Sequence, residues 1–100
     1  MQKRADIIFE HNQFFVSGDL DFSNVMLVYK KSLSQIKKET LLHFDFSKVT
    51  SSNSAGLALI IEWVKFASQH HQSIQLKNLP QQLLSIAKAA GLEEILVYSN

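Results

Sequence analysis

The hydrophobic positions of this chain change their spacing several times, and each change predicts a new element. Short runs of aromatic and β-branched residues at 7–9 and 14–16 are separated by polar residues 11–13, which predicts two antiparallel strands joined by a tight turn. N-cap residues at 21–24 then precede a helix. Its apolar positions are spaced by three and four, so they share one face: Val25, Val28, Tyr29, Leu33 and Ile36.

The second half of the chain alternates between strands and helices. An apolar run at 41–46 predicts a central strand, and a helix follows over residues 54–71. Residues 74–77 alternate as a further strand, and Pro80 opens a third helix that Gly91 ends. Residues 95–98 are expected to form a last edge strand or a tail packed on the core. This order predicts an α/β fold, a mixed sheet of four to five strands with helices packed against it.

The junction between the central strand and the second helix is rich in hydroxyls. Thr50, Ser51, Ser52 and Ser54 surround Asn53, and such side chains accept the unpaired N–H groups of a helix's first turn. A helix N-terminus of this kind is also a suitable place for a bound anion or for phosphorylation. The alternative is plain capping, because four hydroxyls are within ordinary turn chemistry.

The helix over residues 54–71 carries two apolar stripes about 140° apart at 100° per residue. The first stripe is expected to face the sheet and comprises Leu57, Ile60, Ile61, Val64 and Ala67. The second stripe comprises Ala55, Leu59, Trp63 and Phe66. It can pack within the domain or form a surface for another protein, and the solvent exposure of Trp63 and Phe66 separates these alternatives.

Composition narrows the class of protein. A chain of 100 residues with 46% hydrophobic residues is large enough for one core, so we expect a single domain over residues 1–100. There is no cysteine, and the formal net charge of +1 argues against nucleic-acid binding. The longest apolar run, residues 57–61, is far shorter than the roughly 20 residues that cross a bilayer. We therefore expect a soluble cytoplasmic protein without direct membrane insertion.

The motifs of the common enzyme classes are missing from the sequence. His43, Asp45 and Ser47 share one strand face and could be imagined as a hydrolytic set, but a strand row does not create triad geometry. His70 and His71 are adjacent, so they diverge at a helix end rather than forming a metal site. We expect no catalytic site, no metal site and no cofactor.

Several segments, in this order and spacing, resemble the STAS domain, the module of anti-sigma-factor antagonists and of certain transporter subunits. They are the Gly-Asp-Leu-Asp segment at 18–21, the Asp-Phe-Ser strand end at 45–47, the Asn-Ser-Ala-Gly-Leu turn at 53–57, and the segments 78–80 and 90–92 that bound the last helix. The resemblance covers most of the chain and implies a STAS-type mixed sheet.

In the signalling branch of that family, the turn reads Asp-Ser-Ser-Gly-Leu and its second serine is phosphorylated by a partner kinase. Ala55 stands at that position here and Asn53 replaces the acid. The sequence resembles the MlaB-like branch more closely, in which a hydroxyl residue precedes the small residue and glycine, as Ser54 does. That branch is the cytoplasmic STAS subunit of a phospholipid-transporting ABC system that maintains outer-membrane lipid asymmetry.

The resemblance implies a non-catalytic subunit that binds and stabilises or regulates the ABC ATPase and reaches the inner membrane through it. The contact residues would be Ser52, Asn53, Ser54, Ala55, Leu59, Trp63 and Phe66, with the last three as apolar anchors. The alternative is an anti-sigma-factor antagonist that binds a serine kinase and is switched by phosphorylation at Ser54. A third possibility is an enzyme that uses His43, Asp45 and Ser47.

Overall fold

A computed structural model describes residues 3–98 of the chain, in the order ββαβαβα followed by a 3₁₀ helix. The strands are β1 (Asp6–Glu10), β2 (Gln13–Leu20), β3 (Leu41–Ser52) and β4 (Ser73–Lys77). The helices are α1 (Val25–Ile36), α2 (Ser54–Gln69) and α3 (Gln81–Ala89), and the 3₁₀ helix spans Glu93–Tyr98. The predicted alternation is confirmed, and so is the α/β fold.

The four strands form one mixed sheet in the order β1-β2-β3-β4. β1 pairs antiparallel with β2, while β2–β3 and β3–β4 are parallel. Side chains alternate between faces along a strand, so one register row points to one side. Phe14, Phe44 and Leu76 lie side by side in such a row and are all buried, which places the helices on that face of the sheet.

Three residues with positive φ explain how the N-terminal half is shaped. His11 and Asn12 have φ of 50° and 62°, the left-handed values that a two-residue hairpin turn requires. Gly18 has φ of 84°, and a Cβ there would collide with the backbone of Arg4. β2 continues past this glycine to Leu20, with irregular pairing to β3 on either side.

The core centres on stacked aromatic rings. Phe14 stacks on Phe44 with ring centroids 4.9 Å apart, and Phe44 stacks on Trp63 of α2 at 4.1 Å. The indole is completely buried, and its Nε1–H donates to Ser32 Oγ of α1 at 3.0 Å. Replacing a buried aromatic of this size by alanine typically costs about 3–5 kcal/mol, so Trp63 is a principal source of stability.

The C-terminal segment takes the second of its two predicted forms, a tail packed on the core. Residues 95–98 do not form a fifth strand; they belong to the 3₁₀ helix, which packs on the core through Ile95. Gly91 does end α3, with φ of 72° and with the Leu92 N–H bonded to the carbonyl of Ala87. Ala90, at the end of α3, is exposed, and the sheet of the described chain has four strands.

Candidate functional site

The β3–α2 junction is a tightly fixed capped turn. The side chain of Asn53 accepts the N–H of Ala55 at 2.8 Å, as an N-cap residue does. Ser52 is tied on both sides, because its N–H donates to Gln82 Oε1 of α3 at 3.0 Å and its hydroxyl donates to the Asn53 carbonyl at 3.0 Å. The predicted capping role of the turn is confirmed at Asn53.

Asp19 at the end of β2 braces the same junction from the side. Its carboxylate accepts the Thr50 hydroxyl of β3 and the backbone N–H of Lys3, the latter at 2.9 Å. The Thr50 hydroxyl, followed by the Lys3 N–H and the Ser51 hydroxyl, holds the pKa of Asp19 below its usual value. Two of the four junction hydroxyls therefore serve a neighbouring strand rather than the helix N-terminus.

The residues of the predicted contact set divide by exposure. Asn53 and Ser54 are exposed and Ser52 and Phe66 are half-buried, so these four reach the surface. Ala55 is completely buried and Leu59 is 3% exposed. The set therefore does not form one continuous surface.

The proposed anchoring role of Trp63 is wrong for this structure. Trp63 lies between the sheet and the helices, where its ring stacks on Phe44 and its Nε1–H donates to the Ser32 hydroxyl. The sheet-facing part of α2 lies between the two predicted stripes, along Gly56, Ile60 and Trp63. Ile61 and Val64, expected to face the sheet, instead lie beside the C-terminal 3₁₀ helix.

An apolar groove between α1 and α2 supplies the surface that the sequence analysis assigned to the second stripe. We call it the α1–α2 groove; its volume is about 370 Å³. Phe22, just before α1, and Met26 are 69% and 61% exposed at its rim. The groove is lined by Phe22, Val25, Met26, Tyr29, Ala58, Leu59 and Glu62. Burial and then the charge of Glu62 raise the pKa of Tyr29 within it.

The groove adjoins the capped junction. Ser54, Ala58 and Glu62 follow one another at intervals of four residues, so they form one exposed row along α2. Two of these residues line the groove and the third begins the helix. The groove and the turn therefore form one surface that combines exposed apolar side chains with a helix N-terminus.

A comparison with models of protein families shows which family the chain belongs to. The family model described as "Mlab, STAS domain" matches residues 6–98, which is almost the whole chain. The chain belongs to the STAS domain family. This confirms the resemblance and the fold inferred from the sequence.

Curated relatives and solved structures agree with the STAS assignment. The anti-sigma-B factor antagonists of Listeria monocytogenes and Listeria innocua are each 27% identical over 93 residues, covering 91% of this chain and 81% of the relative. The anti-sigma factor antagonist SpoIIAA in its unphosphorylated form matches with a TM-score of 0.71 at 15% identity, covering 97% of this chain and 86% of that one. A STAS domain protein from Planctomyces limnophilus matches with a TM-score of 0.67 at 15% identity, covering 92% of this chain and 86% of that one.

STAS domains of this kind bind partner proteins. In this chain, Ala55 and Ser54 of the junction differ in whether they offer a hydroxyl at the surface. Ala55 has no hydroxyl, and its side chain is completely buried. Ser54 is the exposed hydroxyl of the first helical turn.

The hydrolytic set suggested by His43, Asp45 and Ser47 does not form. The Asp45 carboxylate accepts the backbone N–H of Ser47 at 2.8 Å and faces the Asn78 amide at 3.3–3.4 Å. It is therefore engaged by a neighbour within β3 and by the residue that follows β4 rather than by an imidazole. Within residues 3–98, no group of three or more His, Asp or Glu side chains could hold a metal ion.

The groove residues Phe22 and Met26 were missed by the sequence analysis, although a signal was present. Phe22 precedes α1 and Met26 falls outside its inward face, which runs through Val28 and Ile36, yet both are large and apolar. Large apolar side chains on the outer part of an amphipathic helix indicate a contact surface.

Among the described helices, none is long and apolar enough to cross a membrane.

Proposed function

We propose that this STAS domain is a non-catalytic subunit that binds the ATPase subunit of a phospholipid-transporting ABC system and stabilises or regulates it. The observation that carries the proposal is the exposed α1–α2 groove beside a junction that has lost its usual phosphoacceptor. The domain would act in the cytoplasm and reach the inner membrane through the ATPase.

The chemistry of the surface suits a stable protein contact. Phe22 and Met26 expose large apolar side chains, which cost free energy in water and gain it when a partner covers them. Aromatic and methionine side chains are enriched at the centres of protein interfaces. Glu62 and Ser54 add polar groups at the rim of the groove and beyond its end.

The loss of the phosphoacceptor favours a constitutive contact over a kinase-controlled one. Ala55 has no hydroxyl and cannot carry a phosphate. The match to the family model whose description names Mlab supports the transporter branch. The cytoplasmic location and the identity of the ATPase partner remain parts of the proposal.

Co-purification with an ABC ATPase encoded beside this chain tests the proposal. We expect the wild-type pair to elute together and Met26→Asp or Phe22→Asp to weaken the complex at least tenfold, because each places an unpaired charge in an apolar contact. Val97→Asp is the matched control, since Val97 is 76% exposed at the 3₁₀ helix, away from the groove. The proposal fails if no such ATPase binds, or if the control weakens binding as much as the groove variants.

A second candidate function, an anti-sigma-factor antagonist switched at Ser54, is favoured by the similarity to the Listeria proteins. Ser54 is exposed at the start of α2, where a phosphate would add about −1.5 to −2 charges beside the groove. Incubation with a serine kinase encoded nearby should then phosphorylate the wild-type chain and leave Ser54→Ala unmodified. Phosphate found at another residue, or none at all, would remove this candidate.

A further inference from the structure

A second groove lies on the other side of α1, between that helix and the first strand. Its volume of about 610 Å³ exceeds the 370 Å³ of the α1–α2 groove. One wall is formed by residues 3–6, which lead into β1. The other is formed by the start and middle of α1, including Leu27, Val28 and Lys31. We call this the β1–α1 groove.

The strand-side wall of this groove leads into a sheet edge, because residues 3–5 precede β1 and Asp6 begins it. In the described chain, β1 stands first in the strand order and pairs with β2 alone. An edge strand offers backbone N–H and C=O groups with which a further extended chain can pair. The segment before β1 is held alongside β2, because the Lys3 carbonyl accepts the N–H of Asp19 and the Lys3 N–H donates to the Asp19 carboxylate, both at 2.9 Å. The edge is therefore fixed in position over residues 3–10.

The helix wall contributes an apolar surface. Leu27 is 67% exposed, and Val28 beneath it is buried in the core. An extended chain points alternate side chains in opposite directions, so a strand added to β1 would direct every second side chain towards α1. An apolar side chain of that strand can then cover Leu27.

The charges of the groove select the ligand. Lys3, Arg4 and Lys31 line it against a single lining carboxylate, Asp6, which already forms an ion pair with Lys31 at 2.5 Å. Lys3 and Arg4 are exposed and face the groove with an excess of positive charge. An acidic segment would gain charge-assisted hydrogen bonds from these cations, whereas a basic one would be repelled.

We infer that the β1–α1 groove binds an extended acidic segment of a partner protein, which adds a strand to the edge of β1. Recognition by strand addition combines backbone pairing along the edge with side-chain pockets beside it, and this groove offers both. Its concave shape along a strand suits a single extended chain better than a flat lipid surface. The site is separate from the α1–α2 groove, so it does not depend on the function proposed above.

Selection of peptides from a displayed random library against the complete chain tests this inference. We expect the enriched peptides to be acidic with alternating apolar residues. Amide NMR shifts on binding should fall on residues 4–8 and on Leu27 and Lys31. No enrichment, enrichment of basic or neutral peptides, or shifts confined to the α1–α2 groove would each overturn the inference.

Variants then assign the binding to the groove. Arg4→Glu should weaken the selected peptide about tenfold, the scale expected when one charge-assisted contact becomes repulsive. Lys88→Glu, which reverses an exposed charge on α3, should leave the affinity unchanged. Leu27→Gln removes the apolar contact without changing charge and should also weaken binding. Unaltered melting temperatures show that both groove variants are folded, and full affinity in either folded variant contradicts the inference.

Two further probes separate strand addition from simple attraction of negative charge. A selected peptide with N-methyl groups on alternate backbone nitrogens keeps its side chains but loses its donors, so its binding should be abolished in one methylation register. Equal binding of the unmethylated peptide and of both methylated registers would rule out strand addition. Vesicles containing phosphatidylglycerol should not bind, and Arg4-dependent vesicle binding without peptide binding would assign the groove to lipid instead.

Discussion

Gly56 is the residue that permits the β3–α2 junction to close. A Cβ at this position would collide with the hydroxyl of Ser52 and lie 3.1 Å from Cδ2 of Leu83 on α3. No left-handed backbone value is involved; the requirement is for space. Glycine therefore allows the turn, the first turn of α2 and the side of α3 to meet at one point.

Gly56→Ala should destabilise the protein even though alanine favours helices. The helix gain is about 1 kcal/mol, whereas the methyl group must displace Ser52 and Leu83 at an overpacking cost of about 1–3 kcal/mol. We expect a net loss of up to about 2 kcal/mol in the free energy of unfolding by urea denaturation. The double variant Ser52→Ala/Gly56→Ala should recover part of this loss. A variant as stable as wild type would show that the contact carries no constraint.

Single residues also explain why the turn could be predicted from the sequence while part of the contact site was predicted wrongly. Asn53 and Ser54 are recognisable because N-cap chemistry is local and depends on neighbouring residues. The burial of Ala55 is not local, since it depends on what packs over the first turn of α2. No pattern within residues 53–57 reports that packing, so Ala55 was placed in the contact surface.

At the scale of elements, α1 and α2 are joined by a buried hydrogen bond. The hydroxyl of Ser32 accepts the Trp63 Nε1–H at 3.0 Å and donates to the Tyr29 carbonyl at 2.6 Å. Ser32 is the buried polar residue of the described core, at 2% exposure. The bond fixes how the two helices sit beside each other, and they form the walls of the α1–α2 groove.

Ser32→Ala should destabilise the protein by about 1–3 kcal/mol, because it leaves the buried indole N–H without its acceptor. The measurement is urea unfolding, with Ser34→Ala as the matched control on the exposed side of the same helix. In a Trp63→Phe background, Ser32→Ala should cost clearly less, since the donor is already gone. Equal costs in both backgrounds would contradict the role of this bond.

The helical pattern of α2 could predict its position but not its orientation. Its apolar surface is wider than one stripe, because the part through Ile60 and Trp63 packs towards the sheet, while Ile61 and Val64 lie beside the C-terminal 3₁₀ helix. Wheel geometry gives the angle between stripes and says nothing about which one meets which neighbour. The orientation of α2 is set by the contact between Trp63 and Phe44, which are 19 positions apart in the sequence.

At the scale of the whole molecule, three carboxylates connect elements that are distant in sequence. Asp6 joins β1 to Lys31 of α1, Asp19 joins β2 to Thr50 of β3, and Asp45 joins β3 to Asn78 after β4. These links run along the sheet and from the sheet to a helix. They add directional contacts to a fold whose main stabilisation is apolar burial.

The fold lowers the pKa of all three carboxyls below the ordinary value of 3.8. At Asp6 the leading cause is the hydrogen bond from Lys31, and at Asp19 it is the Thr50 hydroxyl. At Asp45, burial raises the pKa, but hydrogen bonds from Ser47 and Asn78 outweigh it. In each case the native structure favours the ionised carboxylate over the protonated acid.

Stability should therefore fall in acid. Because the folded pKa values lie below the unfolded ones, the stabilisation is complete above the ordinary value of 3.8 and is lost as the pH falls through the folded values. Urea unfolding between about pH 6 and about pH 2 should show this decline, and Asp19→Asn should flatten it by removing one titrating link. Ser34→Ala, at an exposed side chain of α1 outside these links, should leave the slope as it is. A slope that Asp19→Asn does not change would mean that the tie between β2 and β3 contributes nothing to acid sensitivity.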